Sequence, residues 1–323
     1  MDSTYAGAAV NNVVVFVMDR EGAAATKIDF DGDGLSDIGV YRPTTGEWIV
    51  KLSGSGNGDV VVWGLAGSTD VPVPGDYDGD GVTDRAVFRN AFGQWFIKQS
   101  SDGTGYVVTW GVAGGKDIPA PADFDGDGKT DLVVYRPSTG QWFVKPSTTG
   151  VAIIFGWGLA GGNDIPVPAD FDGDGRADYG IYRPSTSQWY LRLSSSGATS
   201  VTLWGTAGSA DIPLPRDYDG DAVADIAVFM PASAQWVVRR SSDMRADSIT
   251  WGVAGGNDLP VPEDYDGDGK ADLAVYQVNT ARWFVRRSSD TRPDVLVWGI
   301  ANSTDYPVQA PDFNADGTAY GRP

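Results

Sequence analysis

The chain has 323 residues, 41% of them hydrophobic, and its 43 acidic and 24 basic side chains give a net charge of −19. This length and hydrophobic fraction predict a folded protein with a sizeable core, not a disordered acidic tail. The acidity argues against nucleic-acid binding, because phosphate contacts need a basic surface.

Cysteine and histidine are both absent. Their absence excludes disulfides, thiolate chemistry and histidine-based triads, and it removes nearly all zinc and haem ligands. No apolar run approaches the ~18 residues that a membrane span needs. Residues 1–10 lack the pattern of a signal peptide, so we expect a mature fragment or an excised domain.

In chain order, the first predicted element is a β-branched run at residues 13–16, followed by an aspartate-rich loop at residues 29–37. An apolar run, a turn, a strand containing Trp48, a polar link and a run ending in Trp63-Gly64 come next. An Asp-Val-Pro element beginning at Asp70 then leads into the next aspartate-rich loop. The runs are short, β-rich and separated by turn residues, and helical periodicity is absent.

This unit recurs with a period of 47 residues. The aspartate-rich loops begin at positions 29, 76, 123, 170, 217 and 264, and a decayed copy begins at position 312. Four strands in a unit of this length is typical of a β-propeller blade. The sequence therefore predicts one all-β propeller domain over residues 1–323.

The number of blades is predicted by counting units. Six are complete, residues 13–16 align with a last strand, and residues 306–312 align with a first strand. Joining the two ends into a composite blade predicts a seven-bladed ring with no exposed edge. Six blades with two frayed ends is the alternative.

Each loop reads Asp-x-Asp-Gly-Asp-Gly-x-x-Asp, with carboxylates at positions 1, 3, 5 and 9 and a backbone carbonyl available at position 7. Hard cations with six or seven oxygen ligands favour this arrangement, and Gly at position 6 permits the sharp turn. Asp-Gly pairs alone could simply form hairpin turns. Six copies that keep four like charges together favour a cation instead.

The predicted ligands are the residues at positions 1, 3, 5, 7 and 9 of each complete loop, and three residues of the decayed copy. They are Asp29, Asp31, Asp33, Leu35, Asp37; Asp76, Asp78, Asp80, Val82, Asp84; Asp123, Asp125, Asp127, Lys129, Asp131; Asp170, Asp172, Asp174, Arg176, Asp178; Asp217, Asp219, Asp221, Val223, Asp225; Asp264, Asp266, Asp268, Lys270, Asp272; and Asp312, Asn314, Asp316.

Two loops depart from the pattern. Ala222 replaces the position-6 Gly, which predicts a strained or altered turn with weaker affinity. The last loop has Asn314 at position 3 and Tyr320 at position 9, so we expect it to be the weakest site or empty.

The combined signature Trp-Gly-x-x-Gly-x-Asp-x-Pro, then the aspartate loop, then Tyr-Arg-Pro resembles the FG-GAP/VCBS-type repeats of bacterial secreted proteins. It is also similar to the calcium-binding blades of the integrin α-subunit propeller. The resemblance implies about six or seven structural calcium ions, loops that link the first and second strands of each blade, and an extracellular or cell-surface location. It does not identify a ligand.

Four other repeated positions are candidates for function. The twelve Trp residues could stack on sugars but are expected mainly to pack, with the Gln-Trp set (Trp48 and its equivalents) slightly better sugar candidates if their strand lies near a loop surface. A basic residue three positions after each Trp of this set indicates a ring of six cations, which either pair with aspartates or bind an anionic polymer. The six are Lys51, Lys98, Lys145, Arg192, Arg239 and Arg286. The Tyr-Arg-Pro arginines predict surface salt bridges or a one-sided binding surface, and the aspartates before Ile/Val-Pro predict turn caps.

Three functions remain open. A non-enzymatic binding or adhesion module for an extracellular glycan or protein is favoured, and a structural scaffold is the second hypothesis. An enzyme, or an accessory domain of a polysaccharide-degrading enzyme, is less favoured, because no unique carboxylate pair stands outside the repeats. We expect a monomer.

Overall fold

A computed structural model describes residues 28–308 of the chain. The described residues form six antiparallel four-stranded sheets arranged as a β-propeller. Residues 13–16 and the loop at Asp312, Asn314 and Asp316 lie outside the described residues. Between residues 28 and 308 the structure contains no helix long and apolar enough to cross a membrane.

The first strand of each blade is short and buried, and most copies end at the Pro of the Asp-Ile/Val-Pro element. These first strands are β4 (Val71–Pro72), β8 (Ile118–Pro119), β12 (Ile165–Pro166), β16 (Ile212–Pro213), β20 (Asp258–Pro260) and β24 (Tyr306–Pro307).

The second strand follows the aspartate-rich loop and is almost continuously apolar, because it is covered on both faces by neighbouring blades. These strands are β1 (Ile38–Arg42), β5 (Arg85–Arg89), β9 (Leu132–Arg136), β13 (Tyr179–Arg183), β17 (Ile226–Met230) and β21 (Leu273–Gln277).

The third strand alternates between buried and half-buried positions, and its Trp is fully buried in every blade. These strands are β2 (Glu47–Lys51), β6 (Gln94–Lys98), β10 (Gln141–Lys145), β14 (Gln188–Arg192), β18 (Gln235–Arg239) and β22 (Arg282–Arg286).

The fourth strand is the exposed one. These strands are β3 (Gly58–Val62), β7 (Gly105–Thr109), β11 (Ile153–Gly156), β15 (Thr199–Leu203), β19 (Ala246–Thr250) and β23 (Pro293–Val297). Blade 1 consists of β24 and β1–β3, and blades 2 to 6 each consist of four consecutive strands from β4 to β23.

An aromatic pair between the second and third strands forms the centre of each blade. In blade 1, Tyr41 lies opposite Trp48, with ring centroids 5.5 Å apart. In blade 5 the pair is Phe229 and Trp236, at 5.1 Å. The six pairs account for all twelve of the largest fully buried side chains among the described residues. Their burial fixes the strand register, because a one-residue slip would turn each Trp to the other face.

The prediction of seven blades is wrong: the described residues form six. The strand at Tyr306 does not begin a seventh blade but pairs with β1, aligning Tyr306 with Tyr41, and so becomes the first strand of blade 1. The ring is also closed by the Trp at the end of each fourth strand, which donates to a third-strand carbonyl of the next blade. Trp63 Nε1 bonds Phe96 O at 3.0 Å, and Trp298 Nε1 bonds Ile49 O at 2.9 Å.

Candidate metal centre

Five of the six aspartate-rich loops connect the first and second strands of a blade, and the loop at residues 29–37 precedes β1, because blade 1 takes its first strand from β24. The six loops are joined in a closed circle. The position-8 N–H of each loop donates to the position-1 carbonyl of the loop before it. Thr83 donates to Asp29 O at 2.7 Å, and Ser36 completes the circle by donating to Asp264 O at 3.0 Å. The loops therefore form one ring at one edge of the propeller.

Side chains strengthen this ring. The position-7 residue of each loop lies over the position-4 Gly of the loop before it, so a Cβ on Gly32 would lie 3.1 Å from Val82. A Cβ on Gly79 would lie 2.8 Å from the Lys129 side chain, whose Nζ also donates to Asp78 O at 2.8 Å. Position 4 is Gly for two reasons. The next blade occupies the space that a side chain would need, and the residue adopts a positive φ that favours glycine.

Within a loop the carboxylates are held by backbone N–H groups. Asp76 at position 1 accepts from Gly79 at 2.6 Å and from Gly81 at 2.8 Å. Asp80 at position 5 accepts from the N–H of Val82 at 2.8 Å, and Asp84 at position 9 accepts from Tyr77 at 2.9 Å. Local side-chain bonds of this kind stabilise turns made by Asp. They give all six loops the same shape.

This shape brings the acidic side chains of each loop together. Oxygen atoms of Asp76, Asp78 and Asp84 lie within 4.8 Å of one another, and five further groups among the described residues meet the same limit. Four of these groups are Asp29 with Asp31 and Asp33, Asp123 with Asp125 and Asp127, Asp170 with Asp172 and Asp178, and Asp217 with Asp219 and Asp225. The structure thus clusters the predicted carboxylate ligands within each loop.

The electrostatics of these clusters favour a bound cation. Burial raises the pKa of Asp131, Asp178 and Asp272 at position 9 to about 7, and the position-3 carboxylate beside each adds to the effect. The same cause, burial, raises the pKa of Asp37, Asp84 and Asp225 to about 6. A divalent cation would reverse this penalty by favouring the ionised carboxylates.

Two position-3 carboxylates provide a further test of fit. The Oδ1 atoms of Asp125 and Asp219 are buried and accept no hydrogen bond. A buried oxygen without a partner is costly unless another group satisfies it. Clustered carboxylate oxygens are the ligands that hard divalent cations prefer. The loop residues therefore fit a hard divalent cation in three respects: they are negatively charged, their donors are oxygens, and two of those buried oxygens accept no hydrogen bond.

The sequence interpretation missed the hydroxyl residues that cover the loops from the link between the third and fourth strands, two in each of blades 2 to 6 and one in blade 1. In blade 2, the Ser100 N–H donates to Asp84 Oδ1 at 2.6 Å and its Oγ donates to Asp80 Oδ2 at 3.0 Å. Ser101 donates to Asp78 Oδ2 at 2.6 Å. The first hydroxyl recurs at Ser53, Ser100, Ser147, Ser194, Ser241 and Ser288, a repeat that could have revealed it in the sequence.

Blade 1 differs at the second position of this pair, where Gly54 replaces the hydroxyl residue. A Cβ on Gly54 would lie 2.7 Å from Asp33 Oδ2 and 3.2 Å from Asp31 Oδ2, so the two carboxylates occupy the space that a side chain fills elsewhere. In blade 1 the Gly54 backbone therefore lies beside Asp31, where the other blades have the second hydroxyl, while the Ser53 hydroxyl still donates to Asp33 Oδ1 at 2.9 Å.

The loop of blade 5 keeps its geometry despite Ala222. This residue adopts φ 65°, and its N–H still donates to Asp217 Oδ2 at 2.7 Å. At the equivalent Gly81 a Cβ would meet nothing within 4 Å, so the penalty for Ala is one of backbone conformation alone. The turn is strained, not altered, and weaker affinity at this loop stays a prediction.

At the other end of the second strand, the predicted arginines and aspartates pair with each other. Arg136 Nε and Nη2 donate to Asp117 at 2.7 and 2.8 Å, and Asp117 also accepts the N–H of Val112 at 2.9 Å. The same pairing occurs at Arg42–Asp305, Arg89–Asp70 and Arg183–Asp164. The aspartate caps a turn as predicted, and it also orients a cation.

The predicted ring of cations does not pair with aspartates within the described residues. Lys98 Nζ instead lies 5.8 Å from the centre of the Trp63 ring in the preceding blade, and Lys145 lies 6.0 Å from that of Trp110. Arg192 lies 5.3 Å from the Phe155 ring. These side chains cover aromatic faces in the gaps between blades.

The preference for the Gln-Trp set as sugar-binding candidates is wrong, because those six residues have no exposed surface. The Trp residues that end the fourth strands are partly exposed instead. They are Trp63, Trp110, Trp157, Trp204, Trp251 and Trp298. Each donates its indole N–H to the next blade, as Trp110 does to Phe143 O at 3.1 Å, so one part of the ring system is held and another contacts solvent.

Comparison with known proteins supports both the repeat and the fold. The FG-GAP-like repeat family matches residues 123–181, which contain two complete aspartate-rich loops, at residues 123–131 and 170–178. No curated protein matches the chain.

Three solved structures share the propeller fold. A lectin from Agrocybe aegerita that recognises non-reducing terminal N-acetylglucosamine is 15% identical, with a TM-score of 0.57 over 88% of this chain and 84% of the lectin. A nidogen/laminin complex gives 9% identity and a TM-score of 0.55 over 80% and 93%. Apo AztD from Citrobacter koseri gives 9% and 0.51 over 88% and 89%. At these identities the similarity concerns the fold alone. Residues 28–308 form a six-bladed β-propeller, and the chain carries an FG-GAP-like repeat.

Proposed function

We propose that this propeller is a calcium-stabilised extracellular binding module without enzymatic activity of its own, which presents its blades to a glycan or protein partner. The observation that carries the proposal is the ring of six aspartate-rich loops, which are joined by hydrogen bonds from loop to loop and gather their carboxylates into clusters.

Calcium is proposed because the donors are oxygens in flexible, carboxylate-rich loops. Calcium accepts six to eight oxygen ligands in adaptable geometry, whereas magnesium demands a near-ideal octahedron. Extracellular calcium modules bind in the range of about 0.1–1 mM, which matches calcium levels outside cells. Saturation of the loops would therefore accompany an extracellular location.

Binding is proposed over a purely structural role because of the partly exposed Trp faces between blades. Each indole is held by a hydrogen bond to the next blade, and a lysine covers one face of Trp63 and of Trp110, so the sugar ring is proposed to stack on the indole surface that stays exposed. The lectin with a similar fold recognises a terminal sugar, and nidogen belongs to a protein complex. A passive scaffold remains the second candidate.

An enzyme is not favoured, because the clustered carboxylates of the described residues belong to the metal loops. Glycoside hydrolysis needs two separate carboxyl groups with opposed protonation states. The other buried aspartates either cap a turn or orient an arginine, as Asp117 does for Arg136. These roles are structural.

The first experiment is calorimetric melting in millimolar calcium and in excess chelator, together with a metal count on purified protein. We expect about six bound ions and a large fall in Tm on chelation. An unchanged Tm, or one or two ions only, would contradict the calcium proposal.

A glycan array in calcium then tests binding. A positive spot that disappears for Trp110→Ala but persists for Trp110→Phe would identify the inter-blade aromatic face as the contact, since Phe keeps the aromatic surface. An array without calcium-dependent spots, followed by a negative protein pull-down, would favour the scaffold.

A further inference from the structure

Two adjacent blades lack an arginine that the other four possess. In blades 1 to 4 the second strand ends in Arg42, Arg89, Arg136 or Arg183, and each is bound to a buried aspartate. Blades 5 and 6 have Met230 and Gln277 at that position. Their aspartates, Asp211 and Asp258, are retained.

The four blades that keep the arginine show how the buried aspartate is paired. Both oxygens of the Asp164 carboxylate accept from the Arg183 guanidinium, at 2.7 and 2.8 Å. The guanidinium carbon lies 4.4 Å from the centre of the Tyr190 ring, and Arg136 lies 4.0 Å from that of Phe143. Forked pairing combined with a face-on aromatic contact is specific for guanidinium.

Blades 5 and 6 keep the buried aspartate of this arrangement, although blade 5 has Val237 in place of the aromatic residue. Asp211 and Asp258 are 4% and 7% exposed, close to the 0–3% of the other four aspartates. Each is capped from the backbone at 2.6 Å, by Thr206 and Val253 respectively. Blade 6 also retains a partly exposed aromatic residue, Phe284, at the position that Phe143 occupies in blade 3.

No lysine or arginine nitrogen within residues 28–308 lies within 4.0 Å of either carboxylate, in contrast to the four other blades. Gln277 hydrogen-bonds Asp258, but burial still raises the pKa of that carboxyl. A carboxylate with this little exposure is stabilised by a cation, and the chain itself supplies none here. The two sites lie in neighbouring blades, at the strand ends away from the metal loops.

We propose that Asp211 and Asp258 bind the guanidinium groups of arginine side chains from a protein partner, at the places that the chain's own arginines fill in blades 1 to 4. This deepens the proposed binding role by naming the chemistry of a protein partner. It does not depend on calcium or on glycan binding, because neither carboxylate belongs to a metal loop, so the tests can fail independently.

The experiment follows backbone amide signals by NMR in the full chain with calcium present. The N–H groups of Thr206 and Val253 donate directly to the two carboxylates and report on them. The probes are arginine amide and an Arg-Arg dipeptide amide, with sodium chloride at equal ionic strength as the control. We expect saturable shifts at these two amides, and binding of the dipeptide at least about tenfold tighter than arginine amide if it engages both sites.

The filled blades provide internal controls. The amides of Leu65, Val112, Leu159 and Ile300, which cap the paired aspartates, should not respond. The Met230→Arg and Gln277→Arg double variant should abolish the response by filling both sites. Arg183→Met should create a third responsive site, reported by Leu159.

Several outcomes would overturn the proposal. Equal shifts with sodium chloride would mean ionic-strength effects only. Absence of saturable shifts at Thr206 and Val253, or persistence of those shifts in the double variant, would exclude the two carboxylates as the site. Spermidine binding as tightly as the dipeptide would show recognition of positive charge without guanidinium selectivity, which also contradicts the assignment to arginine.

Discussion

Blades 1 to 3 and blades 4 to 6 build the same hairpin turn from different residues. Gly46, Gly93 and Gly140 end the turn between the second and third strands of the first three blades, with φ of 61–70°. Ser187, Ala234 and Ala281 occupy this position in the last three, with φ of 51–53°. The left-handed conformation is therefore kept even where a side chain makes it unfavourable.

The backbone of the neighbouring Trp-Gly turn shifts to make room for the Cβ atom of Ser or Ala in blades 4 to 6. In the first half a Cβ at Gly46 would lie 2.7 Å from the Gly64 carbonyl oxygen, and Gly64 has φ 158°. The Gly facing this position has φ of 147–158° in blades 1 to 3 but 112–121° in blades 4 to 6. The paired turns thus change together. The repeats differ in sequence at turns where the φ of a neighbouring glycine can change, whereas the pairing of the strands that these turns connect stays the same.

The second half carries other departures as well. Ala222 replaces a loop Gly, and the arginine that orients the capping aspartate is lost in blades 5 and 6. Arg216 and Glu263 form a buried ion pair at 2.9 Å, at a position where blades 2 to 4 have Gly or Ala. A buried pair of this kind adds little net stability, because desolvation offsets the attraction. We therefore expect the second half of the ring to be the less stable.

Calcium removal should give the largest effect and reveal this difference. Each site that binds only the folded state contributes about 2.7 kcal/mol at a hundredfold excess over its Kd, so the loss of several would lower Tm strongly. As calcium is titrated down, hydrogen exchange should first increase in blade 5, whose loop contains Ala222. Simultaneous loss of protection in all blades would show that Ala222 does not weaken its site.

The second prediction concerns pH. In the metal-free protein, burial raises the pKa of Asp131, Asp178 and Asp272 to about 7, above the ordinary 3.8. The folded state then binds more protons than the unfolded state between these values, so metal-free stability should fall as pH rises from about 4 to about 7. Calcium needs the ionised carboxylates, so its affinity should rise over the same interval.

Urea unfolding of the metal-stripped protein and calcium titration calorimetry, each across this pH range, would measure the two trends. The pKa of the position-9 aspartate is raised in all six described loops. Both halves of the ring should therefore show the same dependence of stability on pH. Metal-free stability that increases with pH would contradict the assignment of these carboxyls as buried and protonatable.

The arginine–aspartate pairs give the third prediction. Arg136→Met leaves the buried Asp117 without its cation and should cost on the order of 1–3 kcal/mol of unfolding free energy. The arginine side chain is 21% exposed, so solvent screening places the effect in the lower part of that range. Met230→Arg, the matched change, should stabilise by less, since it must order a long side chain. Equal stability of the two variants would mean that the pairs contribute nothing measurable.

The fourth prediction exchanges residues between metal loops. Ala222→Gly should stabilise by about 1 kcal/mol and tighten calcium binding at blade 5, because it relieves a left-handed alanine. Gly81→Ala should have the opposite effect, and nothing within 4 Å of its Cβ would confuse the result. Chemical denaturation with calcium titration measures both. Destabilisation by Ala222→Gly would contradict the strain argument.

The smallest effect is expected at the hairpin turn. Ala234→Gly should change stability by less than about 1 kcal/mol, since the facing Gly252 has already adjusted. Gly140→Ala should cost more, because a Cβ there would lie 2.6 Å from the Gly158 carbonyl oxygen until that turn moves. Equal and opposite values for the two variants would show that the adjustment of the facing glycine is without cost.

The repeated sequence determined the local structure of this protein. The period of 47 residues, the short β-rich runs and the aspartate spacing were enough to predict the strands, the propeller and the loop that gathers the carboxylates. These features depend on interactions inside one unit, such as the bonds from Gly79 and Gly81 to Asp76. Each unit repeats these interactions, so the local structure predicted for one unit applies to all six.

The tertiary structure alone decided the contacts between units. Blade number depended on whether Tyr306 pairs with β1 or begins a further blade, and both alternatives use the same strand pattern. The Arg42–Asp305 pair joins residues 263 positions apart. The exposure of one Trp set and the burial of the other likewise follow from how the blades face each other. Such long-range pairings leave no local periodicity, because ring closure depends on the geometry of all the blades together.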